Sequence, residues 1–75
     1  MSSTPQTGSV YEHFKGGRYT VIHIADDSTN ERVGRKSVVY VSLTYGTVKC
    51  RDLEEFNELV EWPDGTHNPR FVQAD

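Results

Sequence analysis

Val38-Val39-Tyr40-Val41-Ser42-Leu43-Thr44, then Tyr45-Gly46, then Thr47-Val48-Lys49-Cys50-Arg51, is the stretch on which the fold turns. β-Branched and aromatic residues fill the first run, and such side chains suit a pleated, half-buried strand. Tyr45-Gly46 supplies a turn, and residues 47–51 return as a partner strand. Alternate residues of a strand point to opposite faces. Val39, Val41 and Leu43 therefore share one face, while Val38, Tyr40, Ser42 and Thr44 share the other. The wholly apolar face is predicted to meet the core, with Val48 and Cys50 beside it. Tyr40, on the opposite face, is predicted to be half exposed.

Upstream, residues 19–25 form another β-branched run, with Tyr19, Val21 and His23 on one face and Thr20, Ile22 and Ile24 on the other. Both faces are partly apolar, so this strand is predicted to be curved and covered on each side. Tyr11-Glu12-His13-Phe14 is a short alternating piece, and Lys15-Gly16-Gly17-Arg18 is its turn. Paired glycines supply the positive φ that tight hairpins need. Residues 26–37 are polar and read as a loop or an exposed, irregular hairpin end. Downstream, Asp52 is placed to cap a helix, with Glu55 three residues on. Leu53, Phe56, Leu59 and Val60 then fall on one face of about two helical turns. Trp62-Pro63-Asp64-Gly65 is a turn, and residues 69–72 form a last extended piece that pairs with an earlier strand.

These elements predict a mainly β domain: a small, strongly bent antiparallel sheet of the SH3-like barrel type with one short α-helix. Residues 1–9 are predicted to be a flexible tail and residues 10–75 one domain. Phe14, Phe56 and Phe71 are the predicted core aromatics.

Seventy-five residues allow one small core, and such a chain buries only about 60 % of its unfolded surface. Cys50 is the single cysteine, so no internal disulfide or thiolate cluster is available. An unpaired thiol suits a reducing compartment, and a cytoplasmic location is expected. No apolar run approaches the roughly 18–20 residues that span a bilayer, and the polar N-terminus is unlike a secretory signal. No membrane role is expected. Net charge is -3, which disfavours general attraction to nucleic acid. The charges are nonetheless segregated. Arg32, Arg35, Lys36, Lys49 and Arg51 occur without an intervening acid, and Asp52, Glu54, Glu55, Glu58 and Glu61 follow without a base. They are expected to pair across two solvated faces or to form a docking surface.

Several stretches together resemble a family of short bacterial and phage proteins whose domain has no assigned function. The resemblance lies in Tyr11-Glu12-His13-Phe14-Lys15-Gly16 with Tyr19 and Val21, in Val38-Val39-Tyr40, and in Leu43-Thr44-Tyr45. It continues through Arg51, Leu53, Glu54 and Phe56 and closes on Pro69-Arg70-Phe71. The chain departs from the pattern at Asp27, where the family commonly has a histidine, and near Lys49, where it has a tryptophan. The loop at residues 32–37 is also longer. The resemblance implies a small β domain and, by analogy with phage genes, a regulator acting on a host enzyme.

Catalytic and metal chemistry find little support in the residues. His13, His23 and His67 lack metal-ligand spacing, so neither a metal nor a cofactor is expected. Cys50 reads as a small buried hydrophobe, and Glu54, Glu55 and Glu58 as a solvated helix face. His13 reads as a residue that fixes its hairpin or as one wall of a pocket with Tyr11, Lys15 and Tyr19. Binding, not catalysis, is the expected function. The candidate contact residues are Tyr11, His13, Lys15, Tyr19, Arg35, Lys36, Tyr40, Tyr45, Lys49 and Arg51. Tyrosine beside arginine is the usual makeup of interaction hot spots, and another protein is the expected partner. The alternatives are nucleic acid on the basic central hairpin, with Tyr40 and Tyr45 stacking on bases, and a small ligand in the Tyr11–Tyr19 pocket.

Overall fold

The computed structural model describes residues 4–26 and 34–75. The structure is mainly β, with strands β1 (Val10–His13), β2 (Arg18–Asp26), β3 (Lys36–Ser42) and β4 (Val48–Asp52), one helical turn α1 (Leu53–Phe56), and strands β5 (Leu59–Glu61), β6 (His67–Pro69) and β7 (Phe71–Gln73). Five strands form an antiparallel sheet in the order β4-β3-β2-β1-β7, and β5 and β6 form a separate hairpin. Asp27 and Arg32, singled out in the sequence, lie outside the described residues.

The central hairpin forms where the sequence places it, but its faces are reversed. Val38, Tyr40 and Ser42 are buried, while Val39 and Val41 are only half-buried. Tyr40 is 3 % exposed, in place of the half exposure that alternation suggests. The reason lies in the aromatic partners on that side. Tyr40 meets Tyr19 at 5.3 Å, Phe71 at 5.2 Å and Phe56 at 5.9 Å between ring centroids. Aromatic side chains bury more area than valine and gain from edge-to-face contact, so the aromatic face goes in. Cys50, paired with Val39 in the β3–β4 register, is carried to the outer face and is exposed rather than buried.

A break in register between Val21 and His23 sets the inner face of β2. One extra residue in a strand shifts its side-chain alternation. Val21 stays fully buried opposite Tyr40, Ile22 turns outward with 43 % exposure, and Ile24 returns to the core opposite Val38. The strand is thus bent, as its two-sided apolar pattern suggests, but its outer side is not covered.

The helix is shorter than predicted. Asp52 caps it, with its carboxylate accepting the Glu54 N–H at 2.9 Å, but α1 ends after Phe56. Glu58 has already turned its carbonyl to accept the Arg70 N–H at 2.8 Å. Leu59–Glu61 then pairs with His67–Pro69 as a strand, leaving Leu59 66 % exposed. The Trp62 to Gly65 turn closes this hairpin, with the Trp62 indole donating to the Pro69 carbonyl at 3.0 Å. What fixes α1 is Phe56. Fully buried, it stacks on Phe71 at 4.1 Å and meets Tyr11 at 5.6 Å. Burial of one such side chain contributes about 1.5–3 kcal/mol.

Residues 4–9, expected as part of a tail, lie against the sheet. Pro5 and Ser9 are buried, the Gln6 N–H donates to the Tyr11 hydroxyl at 2.9 Å, and the Gly8 N–H donates to the Val21 carbonyl at 2.7 Å.

Candidate functional site

The β1–β2 hairpin turns through Gly16 and Gly17, at φ 96° and 89°. His13 holds this turn from three sides. Its N–H donates to the Gly17 carbonyl at 3.1 Å, its carbonyl accepts the Gly16 N–H at 2.8 Å, and its ring Nδ1 accepts the Lys15 N–H at 3.1 Å. The reading of His13 as a hairpin-fixing residue therefore holds.

His13 also lies on the inner face, on β1 between β2 and β7. Its ring lies 4.8 Å from Phe14, 4.8 Å from Phe71 and 6.3 Å from Tyr19. Phe71 is common to this group and to the Phe56–Tyr40 core group, so the rings form one continuous floor. Phe14, predicted as core, is half-buried at its edge. The Lys15 ammonium and the Arg70 guanidinium each lie 5.7 Å from the Phe14 ring, a cation–π distance.

Cations gather around this floor from three strands. On β4, Lys49 pairs with Tyr40 and Arg51 with Val38, so both start from the inner face. Arg70 stands just before β7, and Lys15 follows β1. Desolvation lowers the pKa of His13 below 6.5, and the charges of Arg51, Arg70, Lys15 and Lys49 lower it further. The ring is therefore held neutral. Because Nδ1 accepts a hydrogen bond, its proton sits on Nε2, leaving that atom a donor.

The acids nearby offset only part of this charge. Arg70 is well held, by Glu58 at 2.7 Å and by the Glu55 carbonyl at 3.1 Å. Arg51 meets Glu55 at 3.6 Å, beyond a good hydrogen bond. Among the described residues, Lys15 and Lys49 make no ion pair.

The predicted contact residues thus divide. His13 and Tyr19 meet on the inner face at 6.3 Å, Lys15 lies over the neighbouring Phe14 ring, and Lys49 and Arg51 start from the same face on β4. Tyr11 and Tyr40 support them from within the core and present little surface. Tyr45 lies apart, 82 % exposed in the β3–β4 turn. Arg35 and Lys36 are exposed but already paired, Arg35 with Asp52 at 2.8 Å and Lys36 with Asp26. Desolvation opposes ionisation of Asp52, but hydrogen bonds from Arg35 and the Glu54 N–H outweigh it and hold its pKa below 3.8. Arg70 is a rim residue that the sequence reading missed. Its place in the closing Pro69-Arg70-Phe71 motif was the available signal.

Two further features lie elsewhere. A cavity of about 330 Å³ is lined by Gln6, Tyr11, Asn57, Phe71 and Gln73 among others, with no charged side chain among the described residues. The outer sheet face exposes Ile22 and Val48, the latter by 64 %.

Comparison with known proteins gives a consistent picture of the fold. Residues 9–73 match a family described as a protein of unknown function, DUF1653. A crystal structure of a protein of that family from Bordetella bronchiseptica is similar, with a TM-score of 0.73 and 28 % identity over 99 % of this chain and 92 % of that one. No curated protein matches the chain.

Proposed function

The chain belongs to the DUF1653 family, whose description assigns no activity, and from that position we propose that it is a non-catalytic binding module for an acidic segment of a partner protein. The inner rim is its docking surface. One observation carries this reading: the charges of Arg51, Arg70, Lys15 and Lys49 all act on His13 beside the aromatic rings, and two of these cations make no ion pair among the described residues, in a protein of net charge -3. A basic patch on an acidic protein steers an acidic partner to one orientation, and the half-buried His13, Phe14 and Tyr19 are the rings left to meet it.

The inventory of reactive groups supports binding over catalysis. Cys50 is on the outer face, and the imidazole that shares its row, His23, is separated from it by Val39 on the strand between, so among the described residues no imidazole adjoins the thiol to act as a base. The exposed free thiol also favours a reducing, cytoplasmic setting. The resemblance to phage proteins favours a regulator that acts on a host enzyme. Nucleic acid is less well served, because Tyr40, the proposed stacking ring of the central hairpin, is buried.

The test is capture from bacterial lysate, with and without nuclease, by the wild-type chain and by the Lys15→Glu/Lys49→Glu variant. A stoichiometric acidic protein that survives nuclease and is lost by the variant is expected. Equal capture by both chains would refute the rim as the docking surface, and capture abolished by nuclease would turn the reading to nucleic acid.

A further inference from the structure

Arg51 carries a donor that the fold leaves unused. Its Nε is buried and finds no acceptor among the described residues, whereas buried N–H groups are as a rule hydrogen-bonded. Among the described residues, the rest of the guanidinium has only the 3.6 Å approach to Glu55, whose side chain is 61 % exposed. Arg70 differs, since its Nε and Nη2 both have close acceptors. Arg51 is therefore positioned by the sheet but not saturated by it.

Two more donors start from the same inner face of the sheet. Lys49, two residues earlier on β4, projects from the same face. Across the aromatic floor, the neutral His13 ring has given Nδ1 to the Lys15 N–H and keeps its proton on Nε2. Glu55 and Glu58 offset two of the four surrounding cations, so positive charge remains in excess. Planar guanidinium donors suit a planar or tetrahedral oxyanion, which can take two of them at once.

We propose that a single oxyanion, a carboxylate or a phosphate group, binds between Arg51, Lys49 and His13. The proposal rests on the docking surface above and names the chemistry at its centre. On binding, Arg51 exchanges its loose contact with Glu55 for charge-assisted hydrogen bonds to the anion.

The experiment is a titration of the full chain, followed by NMR at the arginine Nε–H groups and the histidine rings. Inorganic phosphate and acetate are added in separate arms at constant ionic strength, with chloride as the control. Saturable shifts confined to Arg51 and His13 are expected, with the His13 pKa rising because the anion offsets the cations around it. Arg51→Gln should weaken binding at least tenfold, and Lys49→Gln does so at a second position if the first variant is unstable. Saturation by phosphate at least tenfold below acetate assigns a phosphate group, and the reverse order assigns a carboxylate. Linear shifts, or shifts matched by chloride, would overturn the proposal. If Lys15→Glu/Lys49→Glu loses a protein partner while phosphate and acetate leave Arg51 unmoved, the docking surface stands and the oxyanion site falls. If anion binding saturates and no protein is captured, the oxyanion site stands and the docking surface falls.

Discussion

Arg35 and Lys36 share an acid-free stretch of sequence with Lys49 and Arg51, yet the fold treats the two pairs differently. The first pair stands where β3 begins. There Asp26 on the neighbouring strand and Asp52 at the end of β4 meet it directly. The second pair projects over the inner face. There the described residues offer it one carboxylate, Glu55, at 3.6 Å from Arg51, and its charge bears on the His13 ring. Equal formal charge thus becomes a satisfied surface in one place and a receptive one in the other. Sequence shows that basic residues cluster, but which of them already have partners depends on strand register.

The largest expected effect breaks the floor on which the receptive group is built. Phe71→Ala removes the ring shared by the core and the rim and should cost about 3–5 kcal/mol, read by chemical denaturation. A loss below about 1 kcal/mol, well under the usual range for a buried phenylalanine, would show that the two ring groups are independent. Next, Lys15→Glu/Lys49→Glu should weaken partner binding at least tenfold in calorimetry, while Arg35→Glu/Lys36→Glu changes it less than twofold. Equal losses would erase the distinction between the pairs.

Asp52→Ala tests the satisfied group. It removes both the helix cap and the Arg35 partner, and should cost about 1 kcal/mol. Asp52 has a depressed pKa, so its contribution is present above pH 3.8 and is lost as pH falls through the folded-state value. The wild-type and variant stability curves should therefore converge in acid. Smallest of all, Lys36→Ala breaks an exposed pair with Asp26 and should leave the denaturation midpoint nearly unchanged. The pair is screened by solvent on both sides, so its loss should also leave partner binding unchanged.

The central hairpin, the turn at Gly16-Gly17, the cap at Asp52 and the cluster of rim candidates were legible because each rests on local chemistry. β-Branched runs favour strands, paired glycines permit the turn, and an aspartate accepts the first free N–H of a helix. The candidate site was legible in part, since His13, Lys15, Tyr19, Lys49 and Arg51 were all named. Their division from Arg35 and Lys36 was not, because Asp26 and Asp52 reach those cations only through strand pairing.

Sequence alone determined that this chain is a small β domain with one short helix, a single thiol and segregated charge. Tertiary structure decided which face of β3 is the core. A valine face and a tyrosine face are equally good candidates locally, and only Phe56 and Phe71, arriving from distant parts of the chain, give the tyrosine face more to bury against. The same contacts ended the helix at Phe56 and left Leu59 to a strand. They also set Arg51 on the inner face with its Nε unpartnered among the described residues, a property of spacing between strands that no stretch of sequence contains.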